Sequence, residues 1–102
     1  MIPGVSGERE WLPATVACQA PGAHEVFLAG DFNDWQPRAT PMVRQPDGRW
    51  TVTLPLHPGR HEYRFIVDGR WEDDPQAAGS VPNPFGGCNS VLEVRPIARV
   101  RA

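Results

Sequence analysis

The sequence predicts an all-β chain, an antiparallel sandwich of about seven short strands. Three observations carry that reading. Apolar and polar residues alternate in short runs, most cleanly at residues 49–54 and 61–68. Turn-forming dipeptides separate the runs at the spacing of a sandwich. Pro 12 and Gly 10 among 102 residues interrupt the chain too often for long helices.

The elements follow in order. Residues 1–12 are mixed and patternless and read as a tail, residues 13–95 as one domain, and residues 96–102 as a second tail. Residues 14–19, ATVACQ, have strand character, and Pro21-Gly22 turns the chain. Residues 24–30, HEVFLAG, form the next strand, with Val26 and Leu28 on one face and Phe27 on the other. The loop GDFNDWQP follows, then a short strand at residues 41–45. Asp47-Gly48 has the residues of a tight hairpin turn. In residues 49–54, Trp50, Val52 and Leu54 share a face, opposite Arg49, Thr51 and Thr53. Pro58-Gly59 leads into residues 61–68, where Tyr63, Phe65 and Val67 form one row and Glu62, Arg64 and Ile66 the other. Asp68-Gly69 is a second hairpin signal, residues 77–87 are a loop of small residues and prolines, and residues 90–95 supply a last strand.

Size and charge exclude several functions. One domain with a modest core fits this length. The formal net charge is −2 with no basic block, which argues against a nucleic-acid partner. Every fixed positive charge is an Arg, since the chain has no Lys. No run approaches the ~20 apolar residues of a membrane span. The start MIPGVSGEREW lacks a basic, apolar leader, so the expected compartment is the cytoplasm. Cys18 and Cys88 lack metal spacing and read as buried free thiols, although a disulfide stays open.

The Asp68-Gly69 hairpin has a geometric consequence. If those two residues form the turn, Val67 pairs with Arg70 and Ile66 with Trp71. Paired residues project to one face, so Trp71 joins Ile66 and Arg64 opposite the apolar row. An indole beside a guanidinium on an outer face suits a sugar, because pyranose C–H groups stack on aromatic rings and hydroxyls bond to Arg and Asn. The other reading tucks Trp71 over the sheet end as satellite core. Geometry alone leaves the two even. The same register turns Arg70 and Glu72 toward the core, which requires a short second arm at the edge, as Pro75 suggests. Trp35 is either a second platform or a cap on the core, Trp50 is core, and Trp11 belongs to the tail.

Catalytic readings fare poorly. Asp73-Asp74 is an adjacent pair near a turn and reads as solvated, whereas glycosidase carboxylates face each other across roughly 5–9.5 Å. His24, His57 and His61 show no metal spacing. Ser80, Ser90 and Cys88 lack any nucleophile context, and Gly86-Gly87 is too little glycine for a phosphate loop. No catalytic residue, metal or cofactor is expected.

Three segments carry a family resemblance: APGAHEVFLAGDFNDWQP, DGRWTVTLPLHPGRHEYRFIVDGRWEDDP and NPFGGCNSVLEV. Together, over residues 14–94, the chain resembles the family-48 carbohydrate-binding modules, and within them the glycogen-binding domains of AMP-activated protein kinase β subunits. The resemblance implies an immunoglobulin-like, early-set sandwich and binding of α-1,4/α-1,6 glucans. It implies that Trp35 and Trp71 stack on glucose rings. It implies as well that Arg64, in place of a family Lys, and Asn89 hydrogen-bond to sugar. Phe85 takes the place of a Leu that projects through a cyclic glucan. Gly87 departs from a sugar-contacting Thr and removes a hydroxyl.

The expected function is therefore non-catalytic binding of α-glucan such as glycogen, starch or maltooligosaccharides. The carbohydrate-binding residues are Trp35, Arg64, Trp71, Phe85 and Asn89. Two alternatives stand beside it: a protein-interaction domain with its aromatics under a partner surface, and an accessory domain of a longer glucan-active enzyme. The Met1 start and short tails favour a complete small protein over a fragment.

Overall fold

A computed structural model describes residues 11–96. The expected tails, up to residue 10 and from residue 97, lie outside the described residues. Eight strands are present among them: β1 (Leu12–Gln19), β2 (Val26–Gly30), β3 (Val43–Arg44), β4 (Arg49–Leu56), β5 (Gly59–Val67), β6 (Arg70–Glu72), β7 (Gly79–Pro82) and β8 (Cys88–Val94). One sheet runs β1-β4-β3; the other runs β2-β5-β8-β7, with β6 paired to β5. Every pairing is antiparallel.

The alternation in the sequence decides the faces. Val16 and Cys18 from β1 and Trp50 from β4 meet Val26, Leu28, Tyr63, Phe65 and Val67 from the other sheet in one core. The Trp50 indole N–H is buried with a partner, donating to the Ala20 carbonyl at 2.9 Å. A smaller cluster of Ala14, Leu56 and Val94 closes the other end. Both cysteines are free thiols, and burial, aided by Asp74 and Glu72, pushes the Cys18 thiol up to about 11.

Two expectations about elements need correction, and a third gains detail. β1 starts at Leu12, inside the segment read as tail, and Trp11 stacks on His57 with ring centroids 3.7 Å apart. Asp47-Gly48 lies in a tight hairpin turn, as expected, and the loop has three residues. Gly48 N–H donates to the Gln45 carbonyl at 2.9 Å and Arg44 pairs with Trp50, so Pro46-Asp47-Gly48 is a three-residue loop with Gly48 at φ 92°. The loop read at residues 77–87 contains β7, which pairs along β8. Pro82 sits at the end of this edge strand, where a missing N–H breaks no ladder.

The Asp68-Gly69 hairpin keeps its expected register, Val67 with Arg70 and Ile66 with Trp71. Both turn residues take positive φ, 48° and 84°, as a type I′ turn requires. The Asp68 carboxylate adds a long-range tie. Its Oδ1 accepts the backbone N–H groups of His24 and Glu25, each at 2.9 Å, and fastens the turn to the approach of β2. β6 is three residues long, so Arg70 stays exposed and Glu72 only partly covered.

Candidate functional site

The site lies where β5 changes partners. Along one edge, β8 pairs with β5 up to Tyr63, and β6 pairs with it from Phe65 onward. Arg64 is the residue between the two. It projects to the outer face, with Trp71 arriving from β6 and Asn89 from β8, one residue beyond the Tyr63–Ser90 pair. Topology therefore gathers an indole, a guanidinium and an amide at one seam.

Each tryptophan has its own support. Trp71 is 44% exposed beside its partner Ile66. Trp35 is half-buried and packs against Phe27, Ala29 and Ile66, so its ring caps this cluster while part of it stays open to the cavity. The loop holding it is organised by Asn33. Asn33 Oδ1 accepts the Gly30 N–H at 3.0 Å, while Nδ2 donates to the Leu28 carbonyl at 3.0 Å and to Thr40 Oγ1 at 2.9 Å. Trp35 itself takes φ 58°, a left-handed conformation costly for a bulky residue, as does Asp34 before it. Gly30 must be glycine: a Cβ there would lie 2.5 Å from the Phe32 ring and 2.6 Å from the Glu62 carbonyl.

The loop after β7 supplies the third side. Asn83 Oδ1 accepts the N–H groups of Phe85 at 2.9 Å and Gly87 at 3.1 Å, and Nδ2 donates to Asn89 Oδ1 at 3.1 Å. Asn89 Nδ2 in turn donates to Glu62 Oε1 at 3.1 Å. That chain leaves Asn89 one N–H and one lone pair for a ligand. Phe85, at the loop tip, is 92% exposed.

All five residues expected from the sequence line one cavity of about 680 Å³. Asp31, Glu62, Asn83 and Pro84 complete it. These four were not among the expected residues. Asn83-Pro84 does carry a turn signal, and Glu62 belongs to the outer row that includes Arg64. Asp31 gave none, because its position follows from Oδ2 accepting the Glu62 N–H at 2.9 Å across the sheet.

Charge in the cavity is mixed. Arg64 Nη2 donates to the Trp71 carbonyl at 3.3 Å and lies 3.7 Å from Asp73 Oδ1. Arg64 Nε is the one buried side-chain polar atom among the described residues with no hydrogen-bond partner. Asp74 corrects the solvated reading of the acidic pair. It accepts the Tyr63 hydroxyl at 2.6 Å, and its N–H donates to buried Ser90 Oγ at 2.8 Å. Its role is structural.

Residues 13–100 match the family described as the glycogen recognition site of AMP-activated protein kinase. The chain belongs to this family. Among relatives of this glycogen-recognition module, 5'-AMP-activated protein kinase subunit beta-1 of Sus scrofa is 35% identical over 74 residues, 72% of this chain and 57% of the pig protein. The Homo sapiens subunit beta-1 has the same identity over 74 residues, 26% of its length. Subunit beta-2 of Mus musculus is 33% identical over 81 residues, 79% of this chain and 29% of the mouse protein. The match thus spans about half or less of these relatives.

Proposed function

We propose that the chain binds α-glucan without transforming it, using the cavity at the β5 seam. The observation that carries this reading is the convergence of two tryptophans, Arg64, Asn89 and Phe85 on one open cavity in a chain of the glycogen-recognition family. Trp35 and Trp71 offer flat faces to the C–H patches of successive pyranoses. Arg64 and the spare N–H of Asn89 donate to hydroxyls, and the Asp31 and Glu62 carboxylates accept from them. Phe85 adds apolar contact from the loop tip.

A shallow, wet site gives modest affinity per sugar, and repeated engagement along a polymer raises it. On this reading the module holds whatever it is joined to at a glucan surface. The cytoplasm, with its reducing pool, suits the free thiols Cys18 and Cys88.

Titration with maltoheptaose and β-cyclodextrin, followed by tryptophan fluorescence and amide shifts, tests the proposal. Saturable binding is expected, and Trp71→Ala should weaken it several-fold, up to about tenfold, the scale of a lost aromatic stack. No response to either sugar, or parent-like binding by Trp71→Ala, would sink it.

A further inference from the structure

Gly87 poses a question that backbone geometry does not answer. Its φ lies outside the left-handed region, so an ordinary side chain could occupy the position without strain. What a side chain would meet is Arg64: a Cβ at residue 87 would stand 3.1 Å from Arg64 Nη1 and 3.5 Å from Asn83 Nδ2. The guanidinium is already held on its other side. Nη2 is engaged with the Trp71 carbonyl and faces Asp73, and Nε is already buried without a partner. Giving way by the few tenths of an ångström that a Cβ demands would disturb the Nη2 bond, which is already long at 3.3 Å.

We infer that Gly87 and Arg64 are a matched pair, in which the missing side chain at residue 87 is the socket that fixes the guanidinium plane in the cavity. This rests on the glucan reading and deepens it by naming what selects the sugar. A planar fork held at one end presents fixed, parallel N–H donors, which match two neighbouring hydroxyls of one pyranose better than a mobile ammonium does. Gly87 is thus a positioning residue, acting through Arg64. A threonine at residue 87 would set a branched Cβ 3.1 Å from Nη1, tighter than an ordinary contact, and would shift the fork by a few tenths of an ångström or more. A lysine at residue 64 has no second terminal nitrogen to collide and should tolerate the larger neighbour.

A double-mutant cycle tests the pair. Maltoheptaose is titrated into the parent, Arg64→Lys, Gly87→Thr and the combined variant, and the Arg64 Nε–Hε resonance is recorded in the unliganded arginine-bearing proteins. Gly87→Thr should weaken binding about tenfold, one hydrogen bond to a charged group, and shift the Nε–Hε signal. The combined variant should bind more tightly than Gly87→Thr alone. Additive losses, or parent-like affinity in Gly87→Thr, would overturn the inference. If Gly87→Thr does not fold, Gly87→Ala places only the Cβ at 3.1 Å and serves instead. If the parent binds no glucan, the proposed function fails by itself, and an Nε–Hε signal unmoved by either substitution would still refute the pairing.

Discussion

The Tyr63 hydroxyl donates a 2.6 Å hydrogen bond to Asp74 Oδ2 and ties the chain leaving β6 to the middle of β5. Trp71 is carried on the segment so anchored. Tyr63 is almost wholly buried, and its phenol pKa is pushed well above the ordinary value of 10.0 by burial first and by Asp74 second. A group whose pKa rises on folding contributes stability that is complete below its unfolded pKa and is lost progressively as pH rises from there through the folded value.

Tyr63→Phe should therefore cost about 1–3 kcal/mol at neutral pH, because a part-buried carboxylate loses a donor. As pH rises past about 10, the parent should lose stability that the variant lacks from the start. Urea denaturation of both proteins at pH 7 and pH 10.5 checks this: a gap that stays constant would contradict it.

Asp68 predicts the opposite dependence. The N–H groups of Glu25 and His24 hold its carboxyl below the usual 3.8. The stability it contributes is present above the unfolded value and disappears as pH falls through the depressed one. Asp68→Asn keeps an oxygen acceptor and tolerates positive φ, so the turn should survive. Acid titrations followed by circular dichroism should show a shallower loss below about pH 4 in the variant than in the parent.

Asn83→Ala separates site geometry from stability. The change removes three side-chain hydrogen bonds, yet the turn keeps Asn83 N–H to the Gly87 carbonyl at 2.9 Å. Thermal unfolding should register a loss of about 1–3 kcal/mol, the three bonds being exposed or part-buried. Glucan affinity of the folded variant should fall as well, since Asn89 and Phe85 lose their common support. Parent-like affinity in a variant that has lost stability would argue for a purely structural role.

Phe85→Ala should leave stability within about 0.5 kcal/mol of the parent, since nothing covers nine-tenths of the side chain. Binding of β-cyclodextrin should weaken more than binding of linear maltoheptaose if the ring enters the cyclic sugar. Calorimetric titration with both ligands decides it, and an equal effect on the two would reject that contact.

The hairpin around Asp68-Gly69 shows what could be read from residues alone. A two-residue turn leaves one arithmetic for its pairs, so the residues alone set Trp71 beside Ile66. β7 could not be found this way. Gly-Ser-Val-Pro has neither alternation nor β-branched weight, and β8 rather than its own propensity makes it a strand. Asp74 was misread for a related reason: its partners Tyr63 and Ser90 are 11 and 16 residues away. Trp35 remained ambiguous because its ring serves packing and exposure at once, which no local pattern can express.

The break in pairing at Arg64 gives a bound saccharide one further capacity. β6 and β8 both hold β5, yet along this edge no backbone rung joins one to the other. A sugar resting on Trp71 while bonded to Asn89 would bridge that interruption like a splint. Amide exchange should then slow in β6 and at the start of β8 on binding, far from the core that dictates global unfolding. The ligand would complete the sheet as well as occupy it.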